Sequence, residues 1–164
     1  MAAVLRQNGA MASTRPHPAA GGPPITYCLY IRVARRAVIE PGRLGARSIE
    51  RGWYVYTGSA VRNMAGRLRH HLGPVRSPRW HIDWLLSHEA AEVEHVVLEA
   101  APECSVNAAH DGRVVIPRFG ASDCAAGCGS HLLRLGRRRP PVVPRSPRAR
   151  RTHRAADAAA GAGR

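Results

Sequence analysis

The chain has 164 residues, room for one domain, with 25 basic side chains against 11 acidic ones. No segment has the length of a membrane span, and no apolar run opens the chain, so neither a membrane-spanning helix nor a signal peptide is expected. The expectation is a cytoplasmic protein whose four cysteines, Cys28, Cys104, Cys124 and Cys128, stay reduced. The charge is uneven. Residues 1–24 carry a net +2, residues 25–135 a net +4 and residues 136–164 a net +8. All the basic residues are Arg, which suits bidentate phosphate contacts.

Residues 1–24 are rich in Ala, Gly and Pro without periodicity and read as disordered, with Met11 as a second candidate start. Tyr27–Val33 (YCLYIRV) reads as a central strand with apolar residues on both faces. Ala37–Glu40 is a second short strand, Pro41-Gly42 a turn, and Arg43–Gly52 a connector. Trp53–Tyr56 has the aromatic and β-branched composition of a strand. Gly58 is expected to end it in a sharp turn, and Ser59 or Asn63 to cap the helix Met64–Leu72.

Further on, Trp80–Leu86 places Ile82, Leu85 and Leu86 at helical spacing, with Trp80 and Trp84 on the core side. Val93–Leu98 is a buried-type strand. Pro102 precedes a helix over Glu103–His110, and Asp111-Gly112 turns into a short strand at Arg113–Pro117. Phe119–Ser130 is an irregular loop and His131–Leu135 a closing strand. From Gly136 the Arg, Pro and Ala composition reads as a disordered tail. The sum is a small α+β domain over residues 25–135, between disordered segments 1–24 and 136–164.

Three side chains near Gly58 suit phosphodiester chemistry. Arg67 and His71 stand four apart on one helix face, and the preceding strand delivers Tyr56 beside them. A guanidinium can clamp a phosphate, an imidazole can shuttle a proton, and a phenol with a cation nearby can orient or deprotonate water. On strand alternation Tyr54 and Tyr56 share one face, and Trp53 and Val55 the other. Cys124, Cys128 and His131, with Cys104 brought close by folding, have the ligand types of a Cys3His zinc site.

These pieces support a family resemblance. Tyr56-Thr57-Gly58-Ser59-Ala60, followed by Arg67 and His71, resembles the GIY-YIG nuclease superfamily. The first half of its signature is Ile25-Thr26-Tyr27, with Ile25 in the place of Gly. Trp80-His81-Ile82-Asp83, Glu103-Cys104, Phe119-Gly120-Ala121-Ser122-Asp123-Cys124 and Ser130-His131-Leu132 resemble one small branch of it, found alone or fused to endonuclease III-type repair enzymes. The resemblance spans Tyr27 to Leu135.

It implies a small mixed sheet flanked by short helices, and cleavage of DNA with one divalent ion, Mg or Mn. It makes Tyr56 the water-activating phenol, Arg67 the phosphate clamp, Tyr27 and His71 their support, and Glu103 the metal ligand, with Asp83 and Asp123 as substitutes for Glu103. Arg69 and the run Arg137, Arg138 and Arg139 are the expected nucleic-acid contacts. The partner is DNA, in repair or recombination. No membrane and no small-molecule cofactor is expected, and the chain is a monomer or weak dimer. Two rivals stand beside this reading: a nucleic-acid-binding module without catalysis on the same fold, and a zinc-stabilised interaction domain.

Overall fold

The expected first strand forms as β1, Thr26–Val33, and everything else is arranged on it. The computed structural model describes residues 22–75 and 77–144. The expectations for residues 1–21 and 145–164 lie outside these. After β1 come β2 (Ala37–Ile39), a 3-10 turn (Gly42–Leu44), β3 (Arg47–Ile49) and β4 (Gly52–Ser59). Helices α1 (Met64–Leu72) and α2 (His81–Leu86) precede β5 (Ala91–Glu99). Helix α3 (Glu103–Ala108), β6 (Arg113–Val114) and β7 (Leu132–Gly136) complete the order. The class is α+β, as expected.

Five strands form one sheet in the order β5-β1-β4-β7-β6, and β2 with β3 makes a separate ribbon. The resemblance implies a mixed sheet, but every pairing here is antiparallel. Each strand enters the sheet beside a neighbour running the other way, so no parallel crossover is made. The connector expected over Arg43–Gly52 contains β3, which is too short and too exposed to announce itself. Strand β5 was expected to be buried, yet most of its residues are half-buried. It is an edge strand, covered on one side only by β1.

Alternation along β1 and β4 builds two cores. Tyr27, Leu29, Ile31, Val33, Tyr54 and Tyr56 face α1, α2 and the loop carrying Ile116 and Phe119. Cys28, Tyr30, Trp53 and Val55 face the other way, against Val106 of α3, Leu133 and Val143. Tyr54 and Tyr56 thus share a face, as their spacing requires. Fully burying a side chain the size of Leu or Ile contributes roughly 1.5–3 kcal/mol, and Leu29, Ile31, Ile82, Leu85 and Leu132 are all at zero exposure.

Two boundaries differ from expectation. Gly58 does not end β4, which runs on to Ser59. The domain also continues past residue 135: Val143 is 3 % exposed and packs into the second core. Its two-valine pair, Val142-Val143, sits in an Arg- and Pro-rich stretch whose composition hides it.

Candidate functional site

Helix α1 begins where Asn63 caps it. The Asn63 Oδ1 accepts from the Gly66 backbone N–H at 2.8 Å, worth about 1 kcal/mol. This cap sets the rotation of α1 and points Arg67 and His71 at the sheet. Tyr27 arrives from β1 and Tyr56 from β4, ring centres 6.4 Å apart. The Tyr27 hydroxyl lies 3.0 Å from His71 Nε2. The Tyr56 ring is 6.5 Å from the His71 ring, edge to face. The Arg67 guanidinium stacks 3.9 Å above Trp80. Tyr27, Tyr56, Arg67 and His71 are therefore brought together, as their motif register requires.

The two phenols and the imidazole are sequestered: Tyr27 is 1 %, His71 2 % and Tyr56 5 % exposed. Burial pushes both phenols above their ordinary range, opposed in each by the positive charge of Arg67. Glu103 raises both further, so its carboxylate sits within electrostatic reach of the pair. Burial lowers His71 to about 4 against the pull of Asp83, so the ring is neutral at neutral pH. Next to this cluster lies a cleft of about 620 Å³ lined by Ser59, Arg62, Asn63, Arg67, Arg79 and Trp80.

Asp83 ties helix α2 to helix α1. It is fully buried, and its two oxygens serve four donors. Oδ1 lies 3.1 Å from His71 Nδ1. Oδ2 lies 3.0 Å from His70 Nε2 and accepts the backbone N–H groups of Arg79 and Trp80 at 2.7 and 3.1 Å. Burial alone would raise its pKa; those backbone donors and His70 outweigh it and hold the carboxyl low. An acid three residues into a helix that reaches back to the chain before it is a recognised sequence signal, and it was present here. His81 accepts the Gly120 N–H on Nδ1 at 3.1 Å. Gly120 is itself obligatory: φ is +67°, and a Cβ there would lie 2.7 Å from the Tyr56 ring.

Cys104, Cys124, Cys128 and His131 also converge, with one ligand atom from each lying within 4.8 Å of the others. The Cys104 and Cys124 sulfurs are 3.6 Å apart, and Cys104 Sγ is 4.0 Å from His131 Nε2. A tetrahedral zinc site with Zn–S of about 2.3 Å and Zn–N of about 2.05 Å has edges of about 3.8 and 3.6 Å. The cluster therefore has the donors and the spacing for a metal ion such as zinc. The thiols are unequal: the Cys128 backbone N–H lowers Cys124 to about 6, while hydrogen bonding to Cys128 and burial raise Cys104 to about 12.

Glu103, first residue of α3, turns toward this cluster. Its Oε1 makes a close but poorly aligned contact with His131 Nδ1 at 2.9 Å, which raises His131 to about 9. Asp123 is exposed in the loop beyond. Arg69 is exposed on α1, as are Arg137 and Arg138 after β7. Arg139 does not join the site. It lies over Trp53, on the opposite face of the sheet from Tyr56, and hydrogen-bonds the Pro144 carbonyl.

A family model described as "Domain of unknown function DUF123" matches residues 26–149. The chain belongs to the DUF123 family. The DUF123 match begins with β1 and runs beyond β7 through Val143, so the segment that closes the second core is part of the domain. No curated protein and no solved structure matches the chain. Among the described residues of this DUF123 protein, no helix is long and apolar enough to cross a membrane.

Proposed function

We propose that this domain hydrolyses phosphodiester bonds of DNA with the help of a divalent ion, Mg or Mn. The observation that carries the reading is the Tyr27 hydroxyl bonded to a buried, neutral His71, with Tyr56 and the Arg67 guanidinium around it. The resemblance to GIY-YIG nucleases supports it, and repair or recombination is the setting that resemblance suggests. Arg67, at the wall of the cleft, holds the scissile phosphate and offsets charge on its oxygens. A phenol beside that cation receives or orients the proton of the attacking water.

Glu103 is the oxygen ligand that suits a hard cation here, its contact with His131 using Oε1. When bound, Mg or Mn supplies Lewis-acid charge to the phosphoryl group. The Cys3His cluster holds a structural zinc ion that ties α3, the 119–130 loop and β7 together. The test is nicking of plasmid DNA by the purified chain with Mg or Mn. Cutting that disappears in Arg67→Ala and Glu103→Ala, while folding persists, supports the reading.

A second reading rests on the burial of Tyr27 and Tyr56. It makes the domain a nucleic-acid-binding module that uses the basic cleft without chemistry. Binding of DNA with no cutting of plain, gapped or branched substrates under either metal decides for it.

A further inference from the structure

We propose that Asp83 is a positioning residue: it holds His71 in the tautomer whose Nε2 accepts the Tyr27 proton, and it links that pair to His70. The use of this relay in catalysis rests on the hydrolysis reading; its geometry does not. The assignment follows from which atoms can donate. An ionised carboxylate only accepts, so at 3.1 Å His71 Nδ1 carries the proton it gives to Asp83 Oδ1. The ring being neutral, Nε2 has a lone pair, and at 3.0 Å the Tyr27 hydroxyl donates to it. On the other oxygen His70 Nε2 donates at 3.0 Å. The His70 side chain is 25 % exposed and also lines the cleft. The result is a chain Tyr27, His71, Asp83, His70 that starts under Arg67 and ends at solvent.

His70, His71 and Asp83 also have the donor types and proximity of a cation site. The hydrogen bonds argue against that use. Asp83 Oδ2 already takes two backbone N–H groups that begin α2, and Oδ1 takes His71, so a cation would have to strip the helix of its cap. Nor is tethering of helices a sufficient reason for the network. An apolar trio of equal volume would hold α1 and α2 to the sheet without desolvating a carboxylate.

The step balances as follows. The Tyr27 proton passes to His71 Nε2, and the phenol oxygen takes a proton from the attacking water. The water oxygen forms the new P–O bond as the P–O bond to the leaving sugar oxygen breaks, and that oxygen takes a proton from solvent. The imidazolium formed at His71 faces the Asp83 carboxylate, which stays ionised, and its Nε2 proton returns through the Tyr27 hydroxyl to solvent once the product leaves, restoring the starting tautomer.

The experiment is long-range nitrogen–proton NMR of the 15N-histidine-labelled full chain near neutral pH, beside nicking rates for wild type, Asp83→Asn and Asp83→Glu. The expected result is His71 protonated on Nδ1 in wild type and on Nε2 in Asp83→Asn. The nicking kcat should fall at least ~100-fold with KM for DNA unchanged, a triad aspartate of this kind being worth up to about 10⁴, and be partly restored in Asp83→Glu. Wild-type His71 protonated on Nε2 overturns the relay whatever the activity, and needs no variant to fold. An unaltered tautomer and rate in Asp83→Asn also overturns it. Wild type that never cuts DNA yet shows His71 protonated on Nδ1 removes the hydrolysis reading and supports the relay.

Discussion

Gly58 and Tyr27 stand opposite each other in the β4–β1 ladder, and the Tyr27 phenol occupies the space a side chain on Gly58 would need. A Cβ at Gly58 would lie 2.4 Å from the hydroxyl oxygen and 2.5 Å from the ring carbon that bears it. The glycine of the Tyr56-Thr57-Gly58 motif therefore admits a phenol and does not turn the chain. Gly58→Ala should cost about 1–3 kcal/mol as overpacking and displace the Tyr27 hydroxyl from His71. Chemical denaturation measures the first effect, and a shift of the His71 Nε2 resonance, with Nδ1 still protonated against Asp83, the second. A variant as stable as wild type would contradict this packing.

Arg67 combines a stacked position over Trp80 with a charge that opposes the burial of Tyr27 and Tyr56. Arg67→Ala should lower plasmid nicking by at least ~100-fold, the scale of removing one donor to a developing charge. Arg67→Lys should recover little, since a point charge does not reproduce the planar fork. Circular dichroism establishes that both variants remain folded. Full activity in Arg67→Lys would mean that charge alone is required.

The low pKa of His71, about 4 against an ordinary 6.5, fixes the sign of one acid effect. Between those values the unfolded chain binds a proton that the folded chain refuses. Stability from this residue is present above pH ~6.5 and is lost as pH falls toward 4, at up to about 1.4 kcal/mol per pH unit. Burial also lowers His81 and His110, which act in the same direction. The part due to His71 is the difference between wild type and His71→Gln in unfolding experiments at pH 7 and pH 5. The gap between them should narrow at the lower pH.

If the Cys3His cluster holds zinc, the protein purified without chelators carries one ion per chain. Its removal, or Cys124→Ser, should lower the melting temperature by ~10 °C, the equivalent of roughly 2 kcal/mol in a domain of this size. The loop from Phe119 to Ser130 should lose amide protection first, because it supplies two of the four ligands and has no strand of its own. Metal analysis and hydrogen exchange check both points.

Val143 makes the boundary of the domain testable. A chain ending at residue 135 loses a side chain buried against Cys28, Tyr30, Trp53 and Val55, and with it about 1.5–3 kcal/mol. A chain ending at residue 144 should melt as the full chain does. Its affinity for DNA should nevertheless depend less steeply on salt, because residues 145–164 carry six of the 25 arginines and phosphate contacts are where such slopes originate. Thermal melts and binding titrations at two salt concentrations separate the two effects.

Local patterns were legible and distant pairings were not. Helix α1 could be read to the residue because Asn63 and Gly73 punctuate both ends. Strands β1 and β4 followed from runs of β-branched and aromatic residues. Gly58 was misread because a glycine that turns a chain and one that makes room look alike until the partner strand is known. The edge position of β5 depends on the order of the whole sheet, which no window of residues contains. The same holds for the site. Tyr56, Arg67 and His71 lie within one strand-turn-helix and were found together, whereas Asp83 belongs to another helix and meets His71 only through folding. Glu103 follows only from the resemblance of Glu103-Cys104, and only the fold reveals that His131 is its neighbour.

Strand β1 carries two sets of instructions in alternate residues: Tyr27, Leu29, Ile31 and Val33 serve the helices and the phenol cluster, and Cys28 and Tyr30 serve α3 and Val143. A slip of one residue against β4 exchanges the sets. It would offer a thiol to His71 in place of the phenol and drive the Tyr27 ring among residues sized for cysteine. The domain thus has little tolerance for insertion or deletion within this strand, while the β2–β3 ribbon, which stands outside the main sheet, can vary in length without disturbing that frame.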